Sequence, residues 1–273
     1  MSAALRLAQM AAYREEGYVV VRSLLEREQV DRYLRRARQI VLGDHVPQAA
    51  DQVVRDVNFT RGLLPLPEDP ERAMWKLLNP DRFDAVMSEC LELPQVLDVV
   101  SCLLGEDLFA FLLMFIYKPP GVPEAEHPYH QDGAYFHFAP LDMGIGVWIP
   151  LDPVDESNGS LCVIPGSHRL PIRKHNMISG LNPGCFEADS IEAVRHKAVC
   201  LDMAPGDAVF FDTKLLHRTG GNRTSRHRRV VTLHMASARC RPTGPNIEHF
   251  RLRLVRGRTY DGCLQPYSAS SAH

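Results

Sequence analysis

Between Leu25 and Leu42 the apolar positions Leu25, Val30, Tyr33, Leu34, Ala37, Ile40 and Val41 recur near every 3.6 residues. That spacing predicts an amphipathic helix with arginines on its solvated face. Residues 3–16 carry helix-forming residues without a proline, and Gly17 stops them before Tyr18-Val19-Val20-Val21, a short strand. Ser23 is the candidate cap for the helix that follows. Residues 44–72, with Pro47, Pro65, Pro67 and Pro70, hold no sustained period and read as a loop, either a lid-like excursion or a plain surface crossing. Trp75 to Leu104 returns to helical character, broken near Pro80 and Pro94 and closed by Gly105.

From Phe109 the period shortens. Strands are predicted over 109–117, 145–151, 160–164, 197–201, 208–211 and 229–236, with turns at Pro119-Pro120-Gly121, Asn158-Gly159, Pro165-Gly166 and Pro205-Gly206-Asp207. Helices first and strands afterwards predict a mainly β, α+β chain: a double-stranded β-helix, the jelly-roll barrel of cupin type, behind N-terminal helices. The expected organisation is one domain over 1–273. A helical buttress and loop fill about 1–105, the jelly-roll core about 106–240 with a lid at 168–191, and a C-terminal extension 241–273.

Composition narrows the classes. The chain has 273 residues, 45% hydrophobic and 23% charged, enough for a sizeable single core. A formal charge of −2 argues against a nucleic-acid partner. No stretch reaches the ~18 apolar residues of a spanning helix, and Met1-Ser2-Ala3-Ala4-Leu5-Arg6 lacks a signal-peptide core, so no membrane partner and a cytoplasmic location are expected. The seven cysteines form no Cys-x-x-Cys pair, and their odd count suits reduced thiols better than a disulfide framework or a zinc site. The terminal Ser-Ala-His is not an address signal.

Candidate chemistry concentrates at Tyr129-His130-Gln131-Asp132-Gly133. At a strand end, positions i and i+2 share a face, so His130 and Asp132 could grip one ion. His217, after Phe210-Phe211-Asp212, is the best third ligand. Two histidines and one carboxylate with open positions form the facial triad of non-haem Fe(II) oxygenases. The alternative is a common tripeptide and an ordinary strand-end histidine. Arg218, Arg223, Arg226, Arg228 and Arg229 follow His217, and Arg228 directly precedes the apolar run 229–234. A guanidinium at the start of a buried strand needs a partner, and a carboxylate-bearing cosubstrate would supply one. A solvated charge run or a structural ion pair is the alternative for most of these arginines.

His130-Gln131-Asp132, Trp148 within Gly146-Val147-Trp148-Ile149-Pro150-Leu151, the string Asn158-Gly159-Ser160-Leu161-Cys162-Val163-Ile164-Pro165-Gly166-Ser167-His168, and His217 followed by Arg228 resemble the phytanoyl-CoA dioxygenase family of Fe(II)/2-oxoglutarate oxygenases. The resemblance runs from about Gly17 to about Ala236. It implies Fe(II) held by His130, Asp132 and His217, with 2-oxoglutarate and O2 as cosubstrates. The reaction it implies decarboxylates 2-oxoglutarate to succinate and CO2 and oxidises a C–H bond of a small-molecule substrate. Related halogenases replace the carboxylate with a small residue, so Asp132 points to hydroxylation or another oxidation. Matched residue by residue, Arg228 is implied to clamp the distal carboxylate of 2-oxoglutarate, beside Thr219, where relatives commonly carry serine. Arg226 is the rival clamp, because a gap could shift the register by two. Lys76 matches the family lysine that reaches the cosubstrate, the alternative being a surface lysine; Trp148 and Met114 match pocket positions, the alternative being ordinary core.

Tyr135, Phe136 and His137 are candidate substrate-facing residues, or barrel core. Arg169, Arg173, Lys174 and His175 in the expected lid form a basic cluster that either attracts an anionic substrate or is solvated surface. No peroxisomal N-terminal signal is evident, which favours a small metabolite over an acyl-CoA. Two other classes remain. A cupin-like, metal-dependent non-oxidative enzyme would share the triad but have no use for Arg228; a catalytically silent binding protein on this fold would be expected to have lost a ligand.

Overall fold

The computed structural model describes residues 5–43, 52–244, 247 and 250–268. The first residues of the expected N-terminal helix, positions 44–51 of the expected loop and the terminal Ser-Ala-His lie outside them.

Helix α1, Leu7–Glu16, ends where Gly17 takes the left-handed region at φ 83 and donates its N–H to Tyr13 O at 2.8 Å. A side chain there would also run into the His168 ring, so the stop is specific to glycine. Strand β1, Tyr18–Val21, leads to α2, Arg27–Val41, which buries Val30, Tyr33, Ala37 and Ile40. Its cap is Glu26, answered by the Gln29 side chain, and not Ser23. Ser23 lies three residues too early. It sits instead at φ 50 and donates its backbone N–H to Asp207 at 2.8 Å.

The next stretch corrects two expectations. The loop at 44–72 contains β2, Val53–Arg55, and the short helix α3, Val57–Thr60, capped by Asp56. Met74–Leu78 is a strand, β3, and not the start of a helix. Asn79 then takes a left-handed turn at φ 47 before Pro80, so the run cannot continue helically, and the edge of β4 is free to pair with it. Helices α4, Ala85–Ser88, and α5, Pro94–Leu104, follow.

Strand β4, Leu108–Tyr117, opens the barrel proper, followed by β5, His127–His130, β6, Phe138–Ala139, and β7, Gly144–Pro150. After β8, Leu161–Val163, comes a hairpin of β9, His175–Met177, and β10, Phe186–Ala188, inside the segment expected to be a lid. Then come β11, Val199–Cys200, β12, Ala208–Asp212, β13, His217–Thr219, β14, Arg229–Ser237, β15, Arg241–Pro242, and β16, Arg253–Arg256.

The large sheet runs β1-β12-β7-β14-β4-β3-β2, with β16 also on β4, and the small one β11-β8-β13-β5. Every pairing is antiparallel. This is the expected double-stranded β-helix. The expected helical buttress also contributes β1, β2 and β3 to the sheet, and the C-terminal extension returns as β16.

Alternation along β4 divides the interior in two. Leu113 and Phe115 join Val96, Val100, Tyr33 and Ile40 in the core between sheet and helices, while Leu112, Met114 and Ile116 face a cavity on the other side. Each fully buried Leu or Phe contributes roughly 1.5–3 kcal/mol.

The cysteines depart from the expectation of uniformly reduced thiols. Cys162 on β8 stands directly opposite Cys200 on β11, and the two form a disulfide. The partners are 38 residues apart in sequence, and only the strand register brings them together. Cys90, Cys102, Cys185, Cys240 and Cys263 are free.

Candidate active site

Antiparallel pairing of β13 with β5 sets His217 opposite His130. Strand β5 ends at His130; Gln131 stays extended at φ −124, and Asp132 begins a turn over 132–134. Asp132 therefore returns to the face of His130. Buried Gln131 fixes the turn: its side-chain amide donates to Lys214 O at 2.8 Å, and its side-chain oxygen accepts from Arg173 N–H at 2.9 Å.

The rings are oriented by the backbone. His130 Nδ1 lies 2.8 Å from Pro128 O, and His217 Nδ1 lies 2.9 Å from Leu215 O. A carbonyl only accepts, so each Nδ1 carries the proton and each Nε2 lone pair is left to face inward. Those Nε2 atoms lie 3.4 Å and 3.7 Å from Asp132 Oδ1. One ligand atom from each residue falls within 4.8 Å of the others, so the donor set fits a single ion. Burial first, then His130, push His217 down to about 4, so its imidazole is neutral and able to ligate near neutral pH. Burial opposes ionisation of Asp132, but the surrounding imidazoles of His217, His234 and His130 overturn that and hold its carboxyl well below the ordinary range.

A cavity of about 310 Å³ opens from this triad. At one end lies Arg228, 1% exposed, with Nε donating to Gly159 O at 2.9 Å and its guanidinium 5.2 Å from the Trp148 ring. Its Nη1 and Nη2 are buried without a partner. Burial pushes Arg228 down to about 9, which leaves it a cation at neutral pH. Lys76, Met114, Trp148 and Thr219 line the same cavity. Lys76 comes from β3, opposite Ile116, with Nζ 3.6 Å from the Trp75 ring centre, and burial pushes it down to about 8. The rival Arg226 is elsewhere: half-exposed, it pairs with Asp155 at 2.6 Å. Arg229 pairs with Asp152 at 2.8 Å.

The other end is apolar. Leu112, Phe136 and Phe250 face it, and Tyr135 and Phe186, packed together, also line the cavity. Phe136 packs edge-on against Phe111 at 4.9 Å and Phe250 at 5.8 Å. His137 does not line the cavity, and neither do Arg169, Arg173, Lys174 or His175. Two members of the basic cluster make local bonds: Arg169 donates to Glu15 O at 2.7 Å, and His175 Nε2 accepts from Gln131 N–H at 2.9 Å.

Three further ionisable residues line the cavity, none of them among the candidates drawn from the sequence. Lys118 is buried with Nζ donating to Ala125 O at 2.5 Å; burial first, then Arg228, push it down to about 7. His127 stacks on His130 with centroids 4.1 Å apart, and its Nε2 has no partner. His234 places Nε2 2.9 Å from Asp132 Oδ2. Parity carried the missing signal: Lys118, one residue past β4, is in phase with Leu112, Met114 and Ile116, and Arg228, one residue before β14, with Thr232 and His234.

The sequence profile of the Phytanoyl-CoA dioxygenase (PhyH) family matches residues 13–230. The human peroxisomal phytanoyl-CoA dioxygenase is 30% identical over 241 residues, covering 86% of this chain and 70% of that protein. The chain belongs to the phytanoyl-CoA dioxygenase family of Fe(II)/2-oxoglutarate-dependent oxygenases. The ectoine dioxygenase of Sphingopyxis alaskensis, a further relative, is 26% identical over 231 residues, covering 79% of this chain and 71% of that protein. Among solved structures, EctD from S. alaskensis with 2-oxoglutarate and 5-hydroxyectoine covers 98% of this chain and 86% of its own at TM-score 0.68 and 22% identity. The epimerase SnoN, in complex with Fe3+ and alpha ketoglutarate, covers 97% and 95% at TM-score 0.69 and 19% identity, and both likenesses speak to the fold. As a member of the phytanoyl-CoA dioxygenase family, the chain is a non-haem iron dioxygenase that uses Fe(II), 2-oxoglutarate and O2. Among the described residues no helix is long and apolar enough to cross a membrane.

Proposed function

We propose that this dioxygenase hydroxylates an unactivated C–H bond of a small metabolite in the cytoplasm, with His130, Asp132 and His217 holding iron and Arg228 anchoring 2-oxoglutarate. The observation that carries the assignment is Arg228, a buried cation whose two terminal nitrogens lack partners and open on the cavity of the triad. An unpaired buried guanidinium is costly, and a carboxylate fork satisfies both nitrogens at once. The bound iron supplies the oxidising chemistry: 2-oxoglutarate and O2 become succinate and CO2, and one oxygen atom enters the substrate.

The chain's own residues position and shield. Thr219 offers a hydroxyl beside Arg228, Lys76 adds a second positive charge, and Met114 and Trp148 wall the cosubstrate. Phe136 and Phe250 exclude water from the far end and seat an apolar portion of the substrate. The hairpin within 168–191 brings Phe186 to the cavity and serves as the lid. Asn182 ties that segment down, donating to Asp56 at 2.7 Å and accepting from Val57 N–H at 2.9 Å.

The test is succinate formation from 2-oxoglutarate by protein loaded anaerobically with Fe(II) and then given oxygen, beside Asp132→Ala. Triad-dependent succinate, accelerated by one pool of metabolites, is the expected result. Succinate formation undiminished in Asp132→Ala removes the ligand assignment. The lid role predicts slower hydrogen exchange across 168–191 when cosubstrate and substrate are both bound; unchanged exchange there removes it. Cell fractionation that finds the protein in an organelle removes the cytoplasmic placement.

A further inference from the structure

Asp132 presents its two carboxylate oxygens to different neighbours. Oδ1 lies 3.4 Å from His130 Nε2 and 3.7 Å from His217 Nε2, whereas Oδ2 lies 2.9 Å from His234 Nε2. His234 belongs to the large sheet and the two histidines of the triad to the small one, so this contact bridges the sheets. The imidazole is buried, and its Nδ1 meets no polar partner. Aromatic rings pack against the imidazole: Phe136 stands edge-on at 5.2 Å between centroids and Phe111 tilted at 6.2 Å. Phe111 reaches the ring because β4 bulges there. His234 pairs with Leu112 and Met235 with Ala110, so Phe111 has no opposite residue. With no acceptor near Nδ1, a proton there would be unsatisfied in an apolar setting. The neutral ring therefore carries its proton on Nε2, which donates to Asp132 Oδ2.

We infer that His234 is a positioning residue that holds Asp132 Oδ2 and leaves Oδ1 as the single oxygen offered to the metal. The inference rests on the assignment of His130, Asp132 and His217 as iron ligands. Its chemical content is a count of positions. Three single-atom ligands on a six-coordinate ion leave three positions, enough for a bidentate 2-oxo acid and O2. A carboxylate free to turn can chelate with both oxygens and occupy one of those three. His234 prevents the turn. Partners of this kind, one shell out from the ligands, are worth ~10–100-fold in metal affinity or activity.

The experiment compares full-length wild type, His234→Gln and His234→Leu. Glutamine keeps an N–H near the place of Nε2, and leucine fills similar volume without a donor. Three quantities are read: the Fe(II) dissociation constant from anaerobic titration, the visible spectrum of the Co(II)-loaded protein, which reports coordination number, and the urea midpoint of the metal-free protein. The expected result for leucine is a ~10–100-fold weaker Fe(II) affinity and an altered Co(II) spectrum with the urea midpoint kept. Glutamine is expected to restore affinity to within several-fold and to return the wild-type spectrum. Two results overturn the inference: leucine matching wild type in affinity and spectrum, or weakened affinity that tracks a lowered urea midpoint and is not rescued by glutamine. Wild type that binds no Fe(II) sinks the ligand assignment itself, and this inference with it.

Discussion

At one end of the cavity lie Arg228, just before β14, Lys118, just after β4, and Lys76 on β3; at the other lie Leu112, Phe136 and Phe250. Both ends draw on the same faces of β4 and β14, yet they constrain a ligand differently. The cationic end demands an anion, because buried charge without a partner is expensive, and the planar fork of Arg228 asks for a carboxylate in particular. The aromatic end rewards removal of apolar area from water, a force with no direction that many hydrocarbon shapes satisfy. The first end thus identifies its ligand by chemistry; the second limits only size and polarity.

Four substitutions probe that contrast, in descending order of expected effect. Arg228→Met should weaken 2-oxoglutarate binding by about 2–5 kcal/mol, as losing one side of a buried charged contact does. Calorimetry under nitrogen measures it, and a larger loss in Arg226→Met would move the clamp to Arg226. Lys118→Met should stabilise the metal-free protein by ~1–3 kcal/mol, since it removes a buried charge held by a single carbonyl. The pH dependence has a definite sign. Folded Lys118 sits near 7, while an unfolded lysine titrates near ~10.4. Between those values the unfolded chain binds the extra proton, so wild-type stability rises with pH across this window and falls as pH drops toward 7. Denaturant melts of Lys118→Met that keep the full slope would assign it to other groups.

Phe136→Leu, a smaller change at the aromatic end, should cost less than ~1.5 kcal/mol of stability and alter the range of accepted substrates while sparing 2-oxoglutarate affinity. An equal loss of cosubstrate affinity would erase the distinction between the two ends. Arg226→Met should shift stability by under ~1 kcal/mol, because its partner Asp155 is also solvent-exposed. A substantial drop in the melting midpoint would give that surface pair a structural weight this account denies it.

Legibility in the sequence follows the same division. The grouping of His130, Asp132 and His217 was legible because strand parity and turn position put single residues of distinctive chemistry at fixed places, and the burial of Arg228 because its guanidinium stands beside an apolar strand. The β3 strand was misread because Met74-Trp75-Lys76-Leu77-Leu78 is short enough to suit either period; pairing with β4 decides it, and that partner lies dozens of residues away. Lys118, His127 and His234 went unnoticed for a related reason. Each is a polar residue in or beside a strand whose buried face is recognised only once the sheet closes around a cavity. The Cys162–Cys200 pairing likewise depends on register across two strands.

Strand β14 also works as a gauge. Arg228 directly precedes it and His234 lies six positions further on, so with the proposed roles the span from anion grip to the steadied carboxylate is set by a backbone rise of ~3.3 Å per residue. No side-chain motion lengthens a hydrogen-bonded strand flanked on both sides by β4 and β7. With those assignments, a keto acid one methylene shorter or longer than 2-oxoglutarate would have to release either its chelating end or its far carboxylate, and discrimination by chain length would follow from backbone geometry.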